Sequence, residues 1–317
     1  MRMNSVRRRE FVVALAGGNS LAANEPIRFF AVGDVAFIGA MGERATTDAS
    51  YPFGAVREGW RGADAVFANL ESPLTGSNRR TRGKKESEVR AGKDFILKSP
   101  PQAVHALKAG GVTLVSLANN HTLDYEAEGL TETLRLLKRM GIAHAGAGAN
   151  RAEAMQPAVL KLKQRSLALF AFSSVVPPRS AATEQSPGIA RLKTDDDLVE
   201  VCDALADAAR THHFVLVSIH WGKQLAPRSN AWQQGLAQRL IAAGADAILG
   251  HHPHVLQETA LHRGKPIVYS MGNFVFGRSG TSAIYELQLT APHAVGIRRT
   301  IPVLIRAGRP ELAKLAR

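Results

Sequence analysis

The chain has 317 residues, 45% of them hydrophobic and 21% charged. That composition excludes a disordered chain and allows a large core, and the lack of heptads or of a fixed-period repeat excludes coiled coils and solenoids. The formal charge of +13 favours anionic partners. The single cysteine, Cys202, excludes an intramolecular disulfide and reads as a core filler in a helical pattern.

In chain order, the first informative segment is the N-terminus. Arg7, Arg8 and Arg9 precede Glu10-Phe11-Val12, then a short apolar run from Val12 to Ala16 and the small residues Ala22 and Ala23. The order Arg-Arg-x-Phe-Val resembles a twin-arginine export signal. Residues 1–24 are therefore expected to be a signal segment and 25–317 a single domain, with the mature protein periplasmic or otherwise extracytoplasmic. The apolar run is too short to span a bilayer and no second long one follows, so no transmembrane anchor is expected after signal removal.

Beyond it, strands and helices alternate. Residues 27–32 and 65–68 read as apolar strands that end in Gly33-Asp34 and Asn69-Leu70-Glu71. The most basic stretch, Arg79 to Lys98, lies among Gly, Ser and Thr and reads as a solvated loop. It lacks the interleaved aromatics that stack bases, so no nucleic-acid partner is expected. A helix over 101–109 follows Ser99-Pro100, and a strand over 112–117 ends in Ala118-Asn119-Asn120-His121. Residues 126–140 carry Leu130, Leu134 and Leu137 on one helical face and stop at Gly141. A short strand (143–146), a short helix (151–155) and a hairpin (158–162 with 166–172) come next, then a loop over 177–187. A helix over 195–209 leads to a strand over 214–219 ending in His220-Trp221-Gly222. A helix over 231–243 leads to a strand over 247–249 ending in Gly250-His251-His252-Pro253-His254. Strands over 266–270, 283–289 and 300–305 close the pattern, which is that of an α/β protein with mixed sheets.

Polar groups recur just past the carboxyl ends of these strands, where open α/β sheets bind ligands. Asp34, Glu71, Asn120, His121, His220, His252 and His254 all stand there. The set offers oxygen and nitrogen without thiolate, which suits Zn, Mn or Fe. Period two in an extended stretch would put His252 and His254 on one face, with His251 turned to a supporting role. His121, beside Asn120, is placed to act as a general acid.

Gly33-Asp34-Val35, Asn69-Leu70-Glu71-Ser72-Pro73, Ser116-Leu117-Ala118-Asn119-Asn120-His121, His220-Trp221-Gly222, Gly250-His251-His252-Pro253-His254-Val255 and Tyr269-Ser270-Met271-Gly272-Asn273-Phe274-Val275-Phe276 stand in that order. Over roughly residues 27–306 the chain resembles the CapA family of capsule, or poly-γ-glutamate, synthesis proteins, which is related to the calcineurin-like metallophosphoesterases. The resemblance implies a four-layer α/β/β/α sandwich with mixed sheets. It also implies one or two divalent ions on Asp34, Glu71, Asn120, His220, His252 and His254, with His121 beside the scissile bond. Asn119, His251 and Asn273 would support these ligands or touch substrate. Two positions depart from the pattern: Ala36 stands where metallophosphoesterases carry a histidine, and Gln224 where family members often carry a glutamate. The implied function is a metal-dependent hydrolase or transferase acting on an anionic polymer or ester, in contact with polymer synthesis or export machinery. A non-catalytic polyanion-binding accessory is the alternative, and a nuclease or nucleotide phosphatase follows from fold analogy alone.

Overall fold

The computed structural model describes residues 25–313; the twin-arginine-like segment lies outside them. The first strands, β1 (Ile27–Val35), β2 (Ala65–Leu70), β3 (Leu114–Ser116) and β4 (Ala143–Ala145), are parallel neighbours in one sheet. A small ribbon joins β5 (Ala147–Gly148) to β8 (Gly188–Ile189). Between them run the hairpin strands β6 (Ala158–Leu162) and β7 (Arg165–Ser173). Then come β9 (Phe214–His220), β10 (Ala247–His251), β11 (Thr259–His262) and β12 (Lys265–Val268). The chain closes with β13 (Asn273–Val275), β14 (Gly280–Leu289), β15 (Val295–Arg306) and β16 (Arg309–Leu312).

The first sheet runs β16-β15-β14-β1-β2-β3-β4, with β13 parallel to the end of β1; the second runs β11-β12-β10-β9-β7-β6. Both are mixed. β1 to β4 and β7, β9, β10, β12 are parallel blocks, and antiparallel strands finish the sheets.

Alternation along the strands explains how the sheets stack. Ile27, Phe29 and Ala31 of β1 pack with Leu167 and Leu169 of β7, Phe214 and Leu216 of β9 and Leu249 of β10, so the two sheets meet face to face. The alternate residues Phe30 and Val32 pack instead against Met41, Val104, Leu107, Leu130 and Leu137, which lie on helices. Val215, Val217 and Ile248 likewise pack against Val201, Leu205, Leu236 and Leu240. Helices thus cover the outer face of each sheet. With both faces covered, central strands are apolar throughout, which is why β1, β7 and β9 are legible as continuous runs.

The helices end where their sequences say. Glu126–Met140 stops at Gly141, in the left-handed conformation at φ 66. Asp195–Thr211 opens with a capping box between Thr194 and Asp197, and Ala231–Ala242 with one between Asn230 and Gln233. Three points of the sequence reading need correction. The basic stretch 79–98 is not a uniformly solvated loop: Glu86–Arg90 is a short helix, and the Lys84 side chain is buried because Asp124 and the Phe95 carbonyl meet its ammonium. The helix Gly39–Thr47 escaped notice because its buried face is only Met41, Gly42 and Ala45, too small to register as an amphipathic stripe. Cys202 is half-buried, at the edge of the core rather than within it.

Asp197 offers a direct test of the capping argument. Burial alone would raise its carboxyl, but the Arg191 guanidinium and the Lys193 and Thr194 N–H groups outweigh burial and bring it down to about 2. A depressed pKa gives stability that is present above the unfolded value and lost as pH falls through the folded one. Asp197→Ala should cost about 2 kcal/mol in urea unfolding at pH 7. Its deficit should shrink steadily below about pH 4. A deficit that is constant with pH would show that the carboxylate charge contributes nothing.

Candidate metal centre

The carboxyl ends of β1, β2 and β3 in one sheet, and of β9 and β10 in the other, meet at one edge. Asp34 sits in register with Asn69 of β2 and with Asn273 of β13, and His220 in register with His251. Close backbone approach fixes this edge: the Asp34 N–H donates to Gly272 O at 2.9 Å. A Cβ on Gly33 would lie 1.9 Å from that same oxygen, so only glycine fits before Asp34.

Side chains then aim the ligands. Asp34 Oδ1 accepts from Asn69 Nδ2 at 2.9 Å and faces His251 Nδ1 at 3.0 Å, which leaves Oδ2 toward His254 Nδ1 at 3.3 Å. Glu71 is fully buried and neither of its carboxylate oxygens has a hydrogen-bond partner. The nearest imidazole nitrogens are His220 Nε2 at 3.5 Å and His254 Nε2 at 3.8 Å from Oε1. His220 Nε2 also lies 2.7 Å from Asn120 Oδ1 and 3.0 Å from His252 Nδ1. His254 is steadied by Asn273, Nδ1 to Oδ1 at 2.8 Å.

These side chains form two groups that could each hold a metal ion, Asp34–Glu71–His254 and Glu71–His220–His252, with the ligand atoms of each within 4.8 Å of one another. Glu71 belongs to both. His252 and His254 fall into different groups, contrary to the shared face expected from period two. The reason is the backbone: β10 ends at His251, and His252 and His254 take φ of 96° and 60°. Left-handed conformations in non-glycine residues are strained, and here they accompany the split of the two imidazoles between the groups that share Glu71.

The electrostatics are those of a site short of positive charge. Burial, then the neighbouring Asp34, pushes the Glu71 carboxyl well above its ordinary range. Burial opposes ionisation of Asp34 too, but His251 and His254 prevail and hold it low. Burial and neighbouring imidazoles drive His220 well down and His252 to about 4. His254 is lifted to about 9, because Glu71 and Asp34 outweigh its burial. An oxygen-and-imidazole set with orphaned carboxylate atoms fits a divalent cation of the Mn, Zn or Fe kind.

His121 lies beside this cluster. Its Nδ1 stands 2.6 Å from Asp124 Oδ2, while Lys84 Nζ donates to Asp124 Oδ1 at 2.7 Å and to Phe95 O at 2.6 Å. A carboxylate filled from both sides holds the imidazole with Nδ1 inward, leaving Nε2 free for a ligand. Burial keeps His121 below its ordinary value, although Asp124 pulls the other way. Asn119 is an internal staple: its Nδ2 donates to Leu70 O at 2.9 Å and its Oδ1 accepts from the His121 N–H. His251 packs on Phe67 and serves Asp34.

Ala36 is buried and brings no ligand, and Gln224 is exposed near the cluster. Sequence reasoning missed the supporting residues Asn69, Asp124 and Lys84. Asp124 had a local signal, standing three residues after His121 in a turn. Lys84 had none, since it resembles the other cations around it.

The chain matches the family model described as bacterial capsule synthesis protein PGA_cap over residues 28–278. It is 30% identical to the capsule biosynthesis protein CapA of Bacillus anthracis over 91% of this chain and 70% of that one. It is 30% identical to the PGA biosynthesis protein CapA of Bacillus subtilis over 80% and 65%. A probable polyglutamine synthesis accessory protein of Mycobacterium tuberculosis is 32% identical over 68% and 59%. The chain thus spans roughly two thirds of the length of the curated relatives it matches. The match to the family model covers every strand end that carries a ligand described above, and the chain belongs to the PGA_cap family of bacterial capsule synthesis proteins.

Proposed function

We propose that this protein is an exported, metal-dependent hydrolase or transferase that acts on an anionic ester or polymer during capsule or polyglutamate-type synthesis. The observation that carries this reading is the pair of buried ligand groups sharing Glu71, with His121 held beside them. A chain that only bound a polyanion would need neither a dry carboxylate without partners nor an imidazole locked by a buried lysine–aspartate pair. Export rests on Arg7 to Arg9 and the short apolar run after them.

A divalent ion bound here would polarise the scissile group and make water a better nucleophile at neutral pH. Asp34, Glu71 and His254 would hold one ion, and Glu71, His220, His252 and Asn120 a second. Asn69, His251 and Asn273 orient those ligands by the hydrogen bonds already described. His121 presents Nε2 to the leaving group and passes it a proton, while Asp124 keeps the ring oriented and offsets the charge of the protonated form.

One set of observations favours the non-catalytic alternative: the +13 charge, the neutral Gln224 and the accessory role in the name of the mycobacterial relative. Salt-dependent binding of polyglutamate by a protein without metal or turnover would select that reading.

Metal content gives the first test. Purified wild-type chain loaded with Mn or Zn should carry up to two ions, one per ligand group. His252→Ala and His254→Ala should each lose about half of the bound metal, and Glu71→Gln nearly all of it. Full loading of Glu71→Gln, or equal loss in all three variants, would contradict the shared-ligand arrangement. For turnover of a simple phosphate ester, His121→Ala should lower kcat by roughly 10²–10⁴ without releasing metal. Lys84→Met should lower kcat by about tenfold, with KM little changed, since it acts only through the pose of His121. Unchanged kcat in both variants would remove His121 from the chemistry.

A further inference from the structure

Two separate cavities reach the ligand cluster. One, of about 500 Å³, has His121, His254 and Asn273 at its base. Its walls are Ile38, Phe95, Leu97, Leu225, Phe276 and Ile305, and Arg278 also lines it. The other, of about 570 Å³, reaches Asn120 and His252 and carries Lys84, Lys85, Lys93 and Lys193 against Glu88 and Asp94. Gln224 lines both. The ligand group containing His254 therefore opens on an apolar chamber, and the group containing His252 on a cationic one.

The charges in the second chamber are not all spent internally. Lys84 is committed to Asp124 and Asp94, and Lys85 lies 3.5 Å from Glu88. Lys93 and Lys193 are exposed and make no salt bridge among the described residues. In the first chamber, Phe95 is 41% and Leu225 63% exposed, so both hold apolar surface in water beside the site. Leu225 is kept there against its own preference: φ is 59°, and its N–H donates to the carbonyl of Pro253, within the histidine loop, at 2.8 Å. A strained rim residue tied to a ligand loop fits a surface that a ligand covers. A polymer of identical anionic repeats would match the lysine chamber and leave the apolar one unmatched.

We propose that the substrate is an ester with two unlike limbs, an anionic one lodged among Lys93 and Lys193 and an apolar one lodged against Phe95, Leu225 and Phe276, with the ester bond across the ligand cluster. The proposal rests on the ligand groups being the reacting centre. It narrows that reading to substrates with an aromatic or aliphatic leaving limb.

Two phosphate monoesters separate the alternatives, 1-naphthyl phosphate with an apolar limb and glycerol 2-phosphate with a polar one. Binding to the Mn-loaded full chain is followed by titration calorimetry and turnover by phosphate release. The naphthyl ester should bind at least about tenfold more tightly, as expected for covering apolar surface of that size. In the double variant Phe95→Asp, Leu225→Asp the two esters should come within about twofold of each other. Both positions are at the exposed rim, and an unchanged melting temperature would show that the variant is folded. Equal affinities in the wild type, a preference that survives the double variant, or binding of neither ester would each overturn the proposal. A naphthyl preference without turnover would keep the chamber and remove the hydrolase reading. Turnover indifferent to the leaving limb would keep the hydrolase and remove the chamber.

Discussion

The rest of the structure depends on one awkward fact: two carboxylates and four imidazoles, of His220, His251, His252 and His254, converge at a sheet edge and are largely buried there. Asp34, Glu71, His220 and His251 are all essentially inaccessible, and Glu71 has no hydrogen-bond donor for either oxygen. Taking a carboxylate out of water costs several kcal/mol unless it is paired, and the one imidazole that Glu71 and Asp34 lift, His254, stands 3.8 Å from Glu71 without hydrogen-bonding to it. A site of this kind lowers stability by itself and persists because two fully packed sheets over-determine the backbone beneath it. The left-handed His252 and His254 belong to the same account.

Support comes from outside the ligand set, and it differs by group. Asp34 is aimed by Asn69 and His251, and His254 by Asn273; the β1–β2 and β1–β13 registers that place Asn69 and Asn273 lie within the first sheet, and the His251 side chain reaches Asp34 from β10 of the second. The imidazole of His121 is aimed by a buried Lys84–Asp124 pair reaching in from the basic segment. The segment that looked most like solvent-facing loop therefore carries a structural charge for the site. It also supplies Lys93 and Phe95, one to each chamber.

How much of this was legible in the sequence follows from the physics of each signal. Strands buried on both faces announce themselves as apolar runs, so β1, β7 and β9 could be placed to within about three residues at each end. Glu126–Met140 was readable because its leucine face and its stop at Gly141 agree. The candidate ligands could be picked out because polar residues recur at the ends of successive strands, and Asp34, Glu71, His220, His252 and His254 fall into the two groups that could hold an ion. What could not be read was pairing across the chain. Nothing local shows that Lys84 meets Asp124, that Asn69 turns its amide to Asp34, or that the histidine loop leaves the extended conformation at His252. The last point matters most, since a strand-like reading puts two histidines into one group that the backbone divides between two.

That division also bears on Ala36. A metallophosphoesterase pattern with histidine two residues after the first aspartate would give the Asp34 group a further ligand from β1's own end. Here the side chain is a buried methyl and the backbone N–H is spent on Val275 O, so position 36 contributes to fold and not to coordination. The Asp34 group is completed by Glu71, which the other group needs as well. Sharing one carboxylate couples the two groups: charge drawn toward one is withdrawn from the other. An arrangement of this sort tolerates the loss of a dedicated histidine while making Glu71 the residue on which both depend. The supporting hydrogen bonds fall on Asp34 and His254 and leave Glu71 bare, with one imidazole of each group, His220 and His254, turned to the same carboxylate oxygen, Oε1.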